Sequence, residues 1–398
     1  MRTRSVDVAI AGGGPAGAAA ACALARAGLR VLLADTGGAR GSHDGKYKVG
    51  EGLPPSARHL LRDIDVLERV VADGHRTSHG TYAFWGDTSP HANDFIFQLH
   101  GHGLQLDRVR FDETLLDHAR ASGTDIVRNA KLSLVRPVSN DLRHRLQLRA
   151  KGAEDLIESR WLIDATGRPA TLARQLGATR IQHDVLLAFH MRLHSDADTD
   201  QDGRTWIEAV EHGWWYSVLL PSRERLVAFL SDADLVDQRL LLTREGLWDA
   251  LLRAPQLSAL CCGHGYTPAS APRGGDASGS HLDSAAGERW LAVGDAAVAF
   301  DPLSSKGISN ALYTGLRAAQ TVIAREAGDV AATSRYADHL LDIYRVYRRQ
   351  LRMFHTMETR WPASAFWRRR RDTASDPARI PHSDRHDSTP AQTGLHDA

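Results

Sequence analysis

Three glycines near the N-terminus have a spacing that is typical of loops that bind phosphate groups. The segment GGGPAG places Gly12, Gly14 and Gly17 in the pattern G-x-G-x-x-G, between an apolar run and an alanine-rich segment. In such a loop the first glycine allows a tight turn, the second lets the backbone approach a pyrophosphate, and the third lets a helix pack closely on a strand. We therefore expect these glycines, with Pro15 and Ala16, to bind a dinucleotide at a helix N-terminus.

The elements around this loop must position it. Residues 6–11 predict a short buried strand, residues 18–27 a helix that stops at a glycine, and residues 31–35 a second buried strand. Asp35 ends that second strand, some twenty residues beyond the loop, where an acidic side chain accepts hydrogen bonds from a ribose hydroxyl. A glycine motif alone is weak evidence, and the alternative is a structural turn in an unrelated α/β protein.

A second set of motifs lies nearly 280 residues after the first. Gly294-Asp295 follows the apolar run 291–293 and continues as AAVAFDPLSSKGI, and DATGR stands at 164–168. These motifs resemble those of the flavoprotein monooxygenases of the para-hydroxybenzoate hydroxylase fold, including flavin halogenases and geranylgeranyl reductases. The resemblance implies FAD as the cofactor. It also implies an α/β fold class: a Rossmann-like FAD-binding domain interleaved with a mostly antiparallel β-sheet substrate domain, and a helical C-terminal region.

The same resemblance implies cofactor contacts in the second motif. Asp295 corresponds to the aspartate that binds the ribityl or pyrophosphate region. Pro302, Gly307 and Ile308 belong to the segment at the flavin pyrimidine edge, where helix amides stabilise negative charge on reduced flavin.

Arg108 is a further candidate for cofactor binding. It stands in the segment LDRVRFDETL, at a position that usually contacts the cofactor in the resembled family. The alternative is a surface ion pair of Arg108 with Asp107 or Asp112.

Several segments are similar to one subgroup: the maturases of lysine ε-oxidase and glycine oxidase, and the flavin monooxygenase associated with quinohemoprotein amine dehydrogenase. The resemblance covers nearly the whole chain up to Arg371 and implies hydroxylation of tryptophan, in a peptide or protein precursor, through a flavin C4a-hydroperoxide. Two residues depart from the pattern: Lys306 replaces a small or amide residue, and Leu104 replaces an aromatic one. The matching segments are 49–55, 84–86, 103–108, 208–217, 300–308, 358–362 and 366–370.

The sequence thus predicts an FAD-dependent monooxygenase that hydroxylates an aromatic substrate of the tryptophan or indole type. The first competing function is that of a flavin-dependent halogenase of atypical motif. Against it, 214–217 reads WWYS where tryptophan halogenases have W-x-W-x-I-P, Ser304 replaces a glutamate, and no lysine has the expected context. Two more functions stay open: a geranylgeranyl-reductase-like flavin reductase, and an FAD-stabilised chaperone without redox turnover.

Four residues are candidates for a catalytic role. Trp214 and Tyr216 share one face of a predicted strand and either line a pocket or belong to the core. Glu51 either orients substrate or solvent or caps a helix, and Lys306 either contacts the flavin or is solvated. The chain shows no metal-ligand pattern and no Ser-His-Asp constellation.

Composition excludes several partners. With 42% hydrophobic residues, 24% charged residues and a net charge of +1, the chain has no electrostatic case for nucleic acid. It has three cysteines, and no run of 18 apolar residues indicates a membrane span, so we expect reduced thiols and a cytoplasmic location. Without a second glycine motif, NAD(P)H binds transiently or a partner flavin reductase supplies the electrons.

The motifs divide the chain into parts. The expected division is 1–80, 106–180 and 286–330 for the FAD-binding domain, 81–105 and 181–285 for the substrate domain, 331–371 for a helical region and 372–398 for a disordered tail.

Overall fold

A computed structural model describes residues 2–37, 48–135 and 143–371. Its strands are β1 (Arg2–Ala11), β2 (Val31–Asp35), β3 (Gly52–Leu53), β4 (Arg76–Ser78), β5 (Gly80–Phe84), β6 (His91–Asp94), β7 (Gly103–Gln105), β8 (Asp125–Arg128), β9 (Ala130–Leu134), β10 (His144–Ala150), β11 (Ala153–Asp164), β12 (Arg180–Gln182), β13 (Leu186–His194), β14 (Thr205–Val210), β15 (Gly213–Leu219), β16 (Arg225–Asp232), β17 (Thr267–Pro268), β18 (Arg273–Asp276), β19 (Ser280–Leu282), β20 (Ala286–Gly287), β21 (Trp290–Ala292) and β22 (Val298–Ala299). Its α-helices are α1 (Pro15–Arg26), α2 (Arg58–Asp63), α3 (Leu67–Ala72), α4 (Arg108–Ala121), α5 (Thr171–Gln175), α6 (Gln238–Leu241), α7 (Arg244–Leu252), α8 (Pro255–Gly263), α9 (Gly307–Glu326), α10 (Ala332–Met357) and α11 (Ala365–Arg371). Short 3₁₀ turns occur at Pro55–Ala57, Phe95–Phe97, Gly294–Ala296 and Pro302–Ser304.

The first sheet is built around β1, which has β2 and β11 as parallel neighbours. Its strand order is β20-β21-β11-β1-β2-β8, with β10 and β9 continuing from β11 as an antiparallel pair. Val8 pairs with Val31 on one side and with Trp161 on the other. All five residues of β2 are buried, as in a parallel sheet covered on both faces. The sheet confirms the predicted strand-helix-strand unit at the N-terminus.

Helices α1 and α9 pack together through very small residues. Residues 16–22 of α1 are all buried, and all but Gly17 and Cys22 are alanine. A Cβ added to Gly315 of α9 would lie 2.2 Å from the carbonyl oxygen of Ala16. Alanine favours the helix and adds almost no bulk, so the two helices approach closely. Their N-terminal residues line one cavity.

The second large sheet is mostly antiparallel and alternates its side chains between two cores. Its strand order is β17-β13-β16-β15-β14-β5-β6, with β18 also on β13, and β14 and β5 form its parallel pair. Phe189 and Trp215 belong to the core that includes α7 and α8, whereas Trp214 and Leu230 belong to the opposite core. This alternation follows the two-residue period of a strand.

The C-terminal helices close the structure. Helix α10 buries a stripe of side chains at helical spacing: Tyr336, Leu340, Tyr344, Tyr347 and Leu351. With the two sheets, these helices complete the predicted α/β fold class. No helix in the described ranges is long and apolar enough to cross a bilayer.

Two segments between the sheets are irregular. Helices α2 and α3 are separated at Asp65, which has φ +55°. Residues 95–105 form a 3₁₀ turn followed by the three-residue β7. The tail 372–398 and residues 38–47 lie outside the described residues, and the domain boundaries remain predictions.

Candidate functional site

The glycine loop joins the end of β1 to α1 and has little room for side chains. Gly12 has φ +112°, a backbone conformation that glycine adopts readily. A Cβ on Gly12 would lie 2.1 Å from the carbonyl oxygen of Ala165, and a Cβ on Gly17 would lie 2.0 Å from that of Gly12. A Cβ on Gly14 would meet no atom within 4 Å, and Gly14 lines a cavity. The first and third glycines therefore serve close packing, and Gly14 leaves open space on the cavity side.

Asp35 supports this loop from the end of β2. Its buried carboxylate accepts a hydrogen bond from the N–H of Gly13 at 3.2 Å. Helix α1 begins at Pro15, and no side chain caps its N-terminus. Uncapped N–H groups and the helix dipole make this end of α1 suited to an anion. The expected contact of Asp35 with a ribose hydroxyl remains a prediction.

A cavity of about 430 Å³ lies where the glycine loop, the start of α9 and the second large sheet meet. Its size is within the usual range for a ligand pocket. It brings together predicted site residues from distant parts of the chain: Gly14, Pro15, Ala16, Glu51, Arg108, Tyr216, Asp295, Pro302, Lys306, Gly307 and Ile308.

The start of α9 forms one wall of this cavity. Asp301 caps the 3₁₀ turn before it, because its Oδ1 accepts the N–H of Leu303 at 2.8 Å. Burial raises the pKa of Asp301 to about 7, and the nearby Asp184 acts in the same direction. Lys306 is exposed and precedes Gly307, the first residue of a 20-residue helix. The positive end of the α9 dipole therefore lies at the cavity.

Asp295 and Arg168 lie on the same side of the cavity. Burial raises the pKa of Asp295, while Arg168 and Arg180 act in the opposite direction. The Nε of Arg168 is 3.8 Å from a carboxylate oxygen of Asp295, and its Nη1 donates to the carbonyl of Ser278 at 2.5 Å. Arg168 is the last residue of the DATGR motif. Sequence reasoning did not single it out, although its motif had been noted.

Asp164, the first residue of DATGR, holds the motif together. Its Oδ1 accepts from the N–H and the hydroxyl of Thr166, at 2.9 and 2.6 Å. Its Oδ2 accepts from the N–H groups of Leu172 and Ala173 at 2.8 and 2.7 Å. The carboxylate therefore connects the end of β11 to the start of α5.

Arg108 forms the ion pair with Asp112 that the sequence offered as an alternative, and its contact with the cofactor remains a prediction. Its Nη1 donates to the carbonyl oxygens of Val49 and Gly50 at 3.0 and 2.9 Å, and its Nη2 is 3.3 Å from a carboxylate oxygen of Asp112. Lys48 binds the same carboxylate at 2.6 Å. Asp107 instead caps α4. Arg108 thus holds the segment before Glu51 and also lines the cavity.

Glu51 and Tyr216 form a buried polar pair in the cavity. The hydroxyl of Tyr216 donates to Oε2 of Glu51 at 3.1 Å, and Glu51 is only 2% exposed. Burial raises the pKa of Glu51 to about 7, although Arg108 and Tyr216 act in the opposite direction. Burial and the adjacent carboxylate raise the pKa of Tyr216 well above its usual value. The carboxyl can therefore exchange a proton near neutral pH.

Trp214 lies in the core, which is the alternative that the sequence left open beside a place on the pocket wall. It shares a sheet face with Tyr216, as predicted, but it is fully buried against Trp85 and is not among the cavity-lining residues. Trp85 also contacts Trp367 and donates to the carbonyl of Phe354 at 2.7 Å. The C-terminal helices cover this part of the sheet, so Trp214 belongs to the core.

His190 also lines the cavity and was missed by sequence reasoning. Burial lowers its pKa to about 4, with Arg273 acting in the same direction, so the imidazole is neutral at physiological pH. The chain has 20 histidines, and nothing in the local sequence distinguishes this one.

The basic end of α11 forms ion pairs with acidic residues at the end of β16. Arg369 binds Asp232 and Asp234 at 3.0 and 2.6 Å, and Arg370 binds Asp232 at 2.6 Å. The side chain of Arg370 is 7% exposed. These pairs attach α11 to the second large sheet.

A comparison with protein families decides the nature of the site. The model of a family described as an FAD binding domain matches residues 5–260. The chain belongs to this FAD-binding family. It is an FAD-dependent oxidoreductase, and its cofactor is FAD.

Individual relatives are similar over most of the chain. The FAD-dependent oxidoreductase LodB of Marinomonas mediterranea is 28% identical over 370 residues, which cover 92% of this chain and 97% of that protein. The crystal structure of CmlS, a flavin-dependent halogenase, has a TM-score of 0.80 at 26% identity and covers 94% of this chain and 68% of that one. QhpG, a peptidyl tryptophan dihydroxylase essential for tryptophylquinone cofactor biogenesis, has a TM-score of 0.70 at 22% identity, with 93% and 80% coverage. At that identity the likeness to QhpG shows the fold.

The cavity residues suit FAD. Two helix N-termini line the cavity, one with open space at Gly14 for a pyrophosphate and one at Gly307 for the electron-rich edge of a flavin. Neither helix has a side-chain cap.

Proposed function

We propose that this protein is an FAD-dependent monooxygenase that hydroxylates an aromatic ring of the tryptophan or indole type. One observation carries the proposal: the cavity that suits the flavin also contains a buried carboxyl, Glu51, which accepts a hydrogen bond from Tyr216, and the apolar side chains of Leu226, Ala228 and Leu230 line the same cavity. Such a cavity offers an aromatic ring both apolar contacts and a proton acceptor. The likeness to QhpG supports tryptophan, free or in a peptide, as the ring that enters.

Bound FAD supplies the chemistry: its reduced form activates dioxygen for the transfer of one oxygen atom to a ring carbon. The loop at Gly14, Pro15 and Ala16 would hold the pyrophosphate, Asp295 the ribityl chain, and Gly307 and Ile308 the pyrimidine edge. Arg108 would hold the segment that carries Glu51 against the cofactor. In the proposed reaction the second oxygen atom leaves as water, with two electrons drawn from NAD(P)H or from a flavin reductase.

Glu51 and Tyr216 would manage protons at the substrate. Hydroxylation replaces a ring hydrogen by a hydroxyl group, so a proton leaves the ring as aromaticity is restored. A carboxyl with a pKa of about 7 accepts that proton at neutral pH and returns it to solvent. Tyr216 donates to one carboxyl oxygen and fixes its orientation.

The direct test is product analysis with the FAD-loaded, reduced protein. Oxygen is supplied together with tryptophan, indole or a short tryptophan peptide, and products are analysed by mass spectrometry. The proposal expects a gain of 16 mass units, or of 32 for two hydroxylations, labelled by ¹⁸O₂. Hydrogen peroxide without labelled product for every aromatic substrate would refute it. A product labelled only from H₂¹⁸O would do so as well.

A second candidate, halogenation, is favoured by two observations. The chain is similar to the halogenase CmlS, and Lys306, an exposed amine, lines the cavity next to the start of α9. A lysine can carry an oxidised halide to an aromatic ring. Adding bromide to the same reactions distinguishes the candidates, because halogenation gives a bromide-dependent product that Lys306→Met abolishes. Hydroxylation gives the same product with and without bromide, and Lys306→Met retains it.

A further inference from the structure

We propose that Oε1 of Glu51 is a recognition site for a donor on the edge of the substrate's aromatic ring, either an indole N–H or a phenol O–H. The inference rests on the proposed function and specifies how that cavity selects its substrate. It assigns the two oxygens of one carboxylate to different partners, one within the protein and one in the ligand.

The asymmetry of the carboxylate is the first observation. Oε2 is occupied by the hydroxyl of Tyr216 at 3.1 Å. Oε1 is buried and no described residue meets hydrogen-bond geometry with it, although the backbone N–H groups of Gly50 and Glu51 lie close enough to the carboxyl to lower its pKa. The main chain also holds Glu51 in place, because its carbonyl accepts the N–H of Leu106 at 2.8 Å. A buried acceptor without a partner is costly, and a ligand that supplies a donor removes that cost.

The sheet surface beside this carboxyl is the second observation. In register, His190 of β13 lies opposite Ala228 of β16, and Ala228 lies opposite Tyr216 of β15. All three line the cavity, and so does Ala188, two residues from His190. Alanine at these positions leaves a shallow floor beside Tyr216, whereas a larger side chain there would fill it. A flat ring can lie on this floor with its edge towards Glu51.

The other side chains on this sheet surface favour an apolar ring. Leu226 and Leu230 flank Ala228 on the same face of β16 and also line the cavity. Phe300 lines it too and stacks on Tyr347 with ring centroids 4.3 Å apart. An aromatic ring with one polar hydrogen matches these apolar side chains together with the buried acceptor Oε1 of Glu51.

The charge state of Glu51 gives the site a pH dependence. Arg108 and Tyr216 act directly on the pKa of Glu51, and the other charged or titratable residues that line the cavity are Arg168, His190, Asp276, Asp295, Asp301 and Lys306. Asp301 also has a pKa of about 7, and the variant Glu51→Gln separates its titration from that of Glu51. Since burial raises the pKa of Glu51 to about 7, the carboxylate forms as pH rises through neutrality. A hydrogen bond to a carboxylate is stronger than one to the neutral acid, so ring binding should tighten over that interval.

The experiment measures ligand binding to the oxidised, FAD-loaded protein through the change in flavin absorbance, without turnover. The ligands are indole, 1-methylindole, phenol and anisole, each at pH 6 and at pH 8. The methylated partner of each pair has the same ring without the donor. We expect indole or phenol to bind about tenfold more tightly than its methylated partner at pH 8, with a smaller ratio at pH 6. The pair that shows the difference identifies the donor.

Three variants complete the test. Glu51→Gln should remove the pH dependence and most of the preference for the donor ligand, whereas Glu68→Gln, at an exposed position of α3, should leave both unchanged. Ala228→Leu should weaken both members of a pair equally, because it fills the floor and leaves the acceptor in place. Equal binding of indole and 1-methylindole, and of phenol and anisole, by the unmodified protein would overturn the proposal whatever the variants do. So would loss of FAD, rather than of ring selectivity, in Glu51→Gln.

These outcomes are separate from the fate of the proposed function. Donor selectivity without any oxygenated product would support the recognition site and refute the monooxygenase. Oxygenated product without donor selectivity would do the reverse.

Discussion

Gly14→Ala and Gly17→Ala add the same methyl group at positions three residues apart. The first should weaken FAD binding, and the second should lower folding stability. At Gly14 the new Cβ meets no atom within 4 Å, and the backbone φ of −74° is ordinary for alanine. At Gly17 the new Cβ would lie 2.0 Å from the carbonyl oxygen of Gly12. We expect Gly14→Ala to fold normally and bind FAD poorly, and Gly17→Ala to be destabilised even without FAD.

The contacts around each glycine determine the expected changes in folding stability and FAD affinity. Alanine is a poorer N-cap than glycine, but this should cost the FAD-free protein no more than about 1 kcal/mol. In the FAD complex the methyl would stand between the helix N-terminus and the pyrophosphate, and losing one or two hydrogen bonds to a charged group is worth about 1.5–3 kcal/mol, roughly 10- to 100-fold in affinity. For Gly17→Ala the backbone contact cannot be relieved by a side-chain rotation, so a loss of about 3 kcal/mol in folding stability is expected.

The assay compares two quantities for each variant. FAD is removed, the midpoint of urea unfolding of the FAD-free protein is measured, and the FAD dissociation constant is determined from the quenching of flavin fluorescence. Gly28→Ala is the control for a glycine away from the cavity: its Cβ also meets no atom within 4 Å, although its φ of +83° brings some strain. Unchanged FAD affinity in Gly14→Ala would refute the placement of the pyrophosphate at this loop. Equal destabilisation by Gly14→Ala and Gly17→Ala would refute the packing account.

Three further predictions concern individual side chains. Trp214→Phe should lower folding stability by about 2 kcal/mol, seen as a lower Tm, with an unchanged substrate dissociation constant, because Trp214 is core; a changed substrate affinity with an unchanged Tm would contradict this. Asp164→Asn should lower the free energy of unfolding in urea by about 3 kcal/mol, because one amide oxygen cannot replace both carboxylate oxygens that accept from Thr166, Leu172 and Ala173. A stability within about 0.5 kcal/mol of the unmodified protein, the usual effect of a surface substitution, would contradict this role of Asp164. Arg108→Lys should weaken FAD binding about tenfold in fluorescence titrations, because an ammonium group cannot bind both the 49–50 carbonyls and Asp112; unchanged affinity would mean that the segment does not support the cofactor.

The sequence motifs predicted the role of a residue well where that role depends on backbone geometry. Gly12 and Gly17 could be assigned from spacing alone, because a missing Cβ is visible in the sequence and its reason is local. The start of α9 was indicated by the resemblance, because the segment 300–308 matches a family motif that a helix follows. Side chains on the sheet were harder to assign. Trp214 and Tyr216 share a face, but only the covering helices decide that one is core and the other reaches Glu51.

The sequence by itself therefore determined the dinucleotide-binding unit, and the resemblance of its motifs implied the fold class and FAD. The unit depends on a short-range pattern: strand, glycine loop, helix and acidic strand end within about thirty residues. Only the tertiary structure decided the substrate side of the cavity. Glu51 and Tyr216 are 165 residues apart in the chain and meet at 3.1 Å, and His190 and Ala228 join them through strand register. Such contacts depend on the register of paired strands and on the packing of distant segments, so residues far apart in the chain meet only in the folded protein.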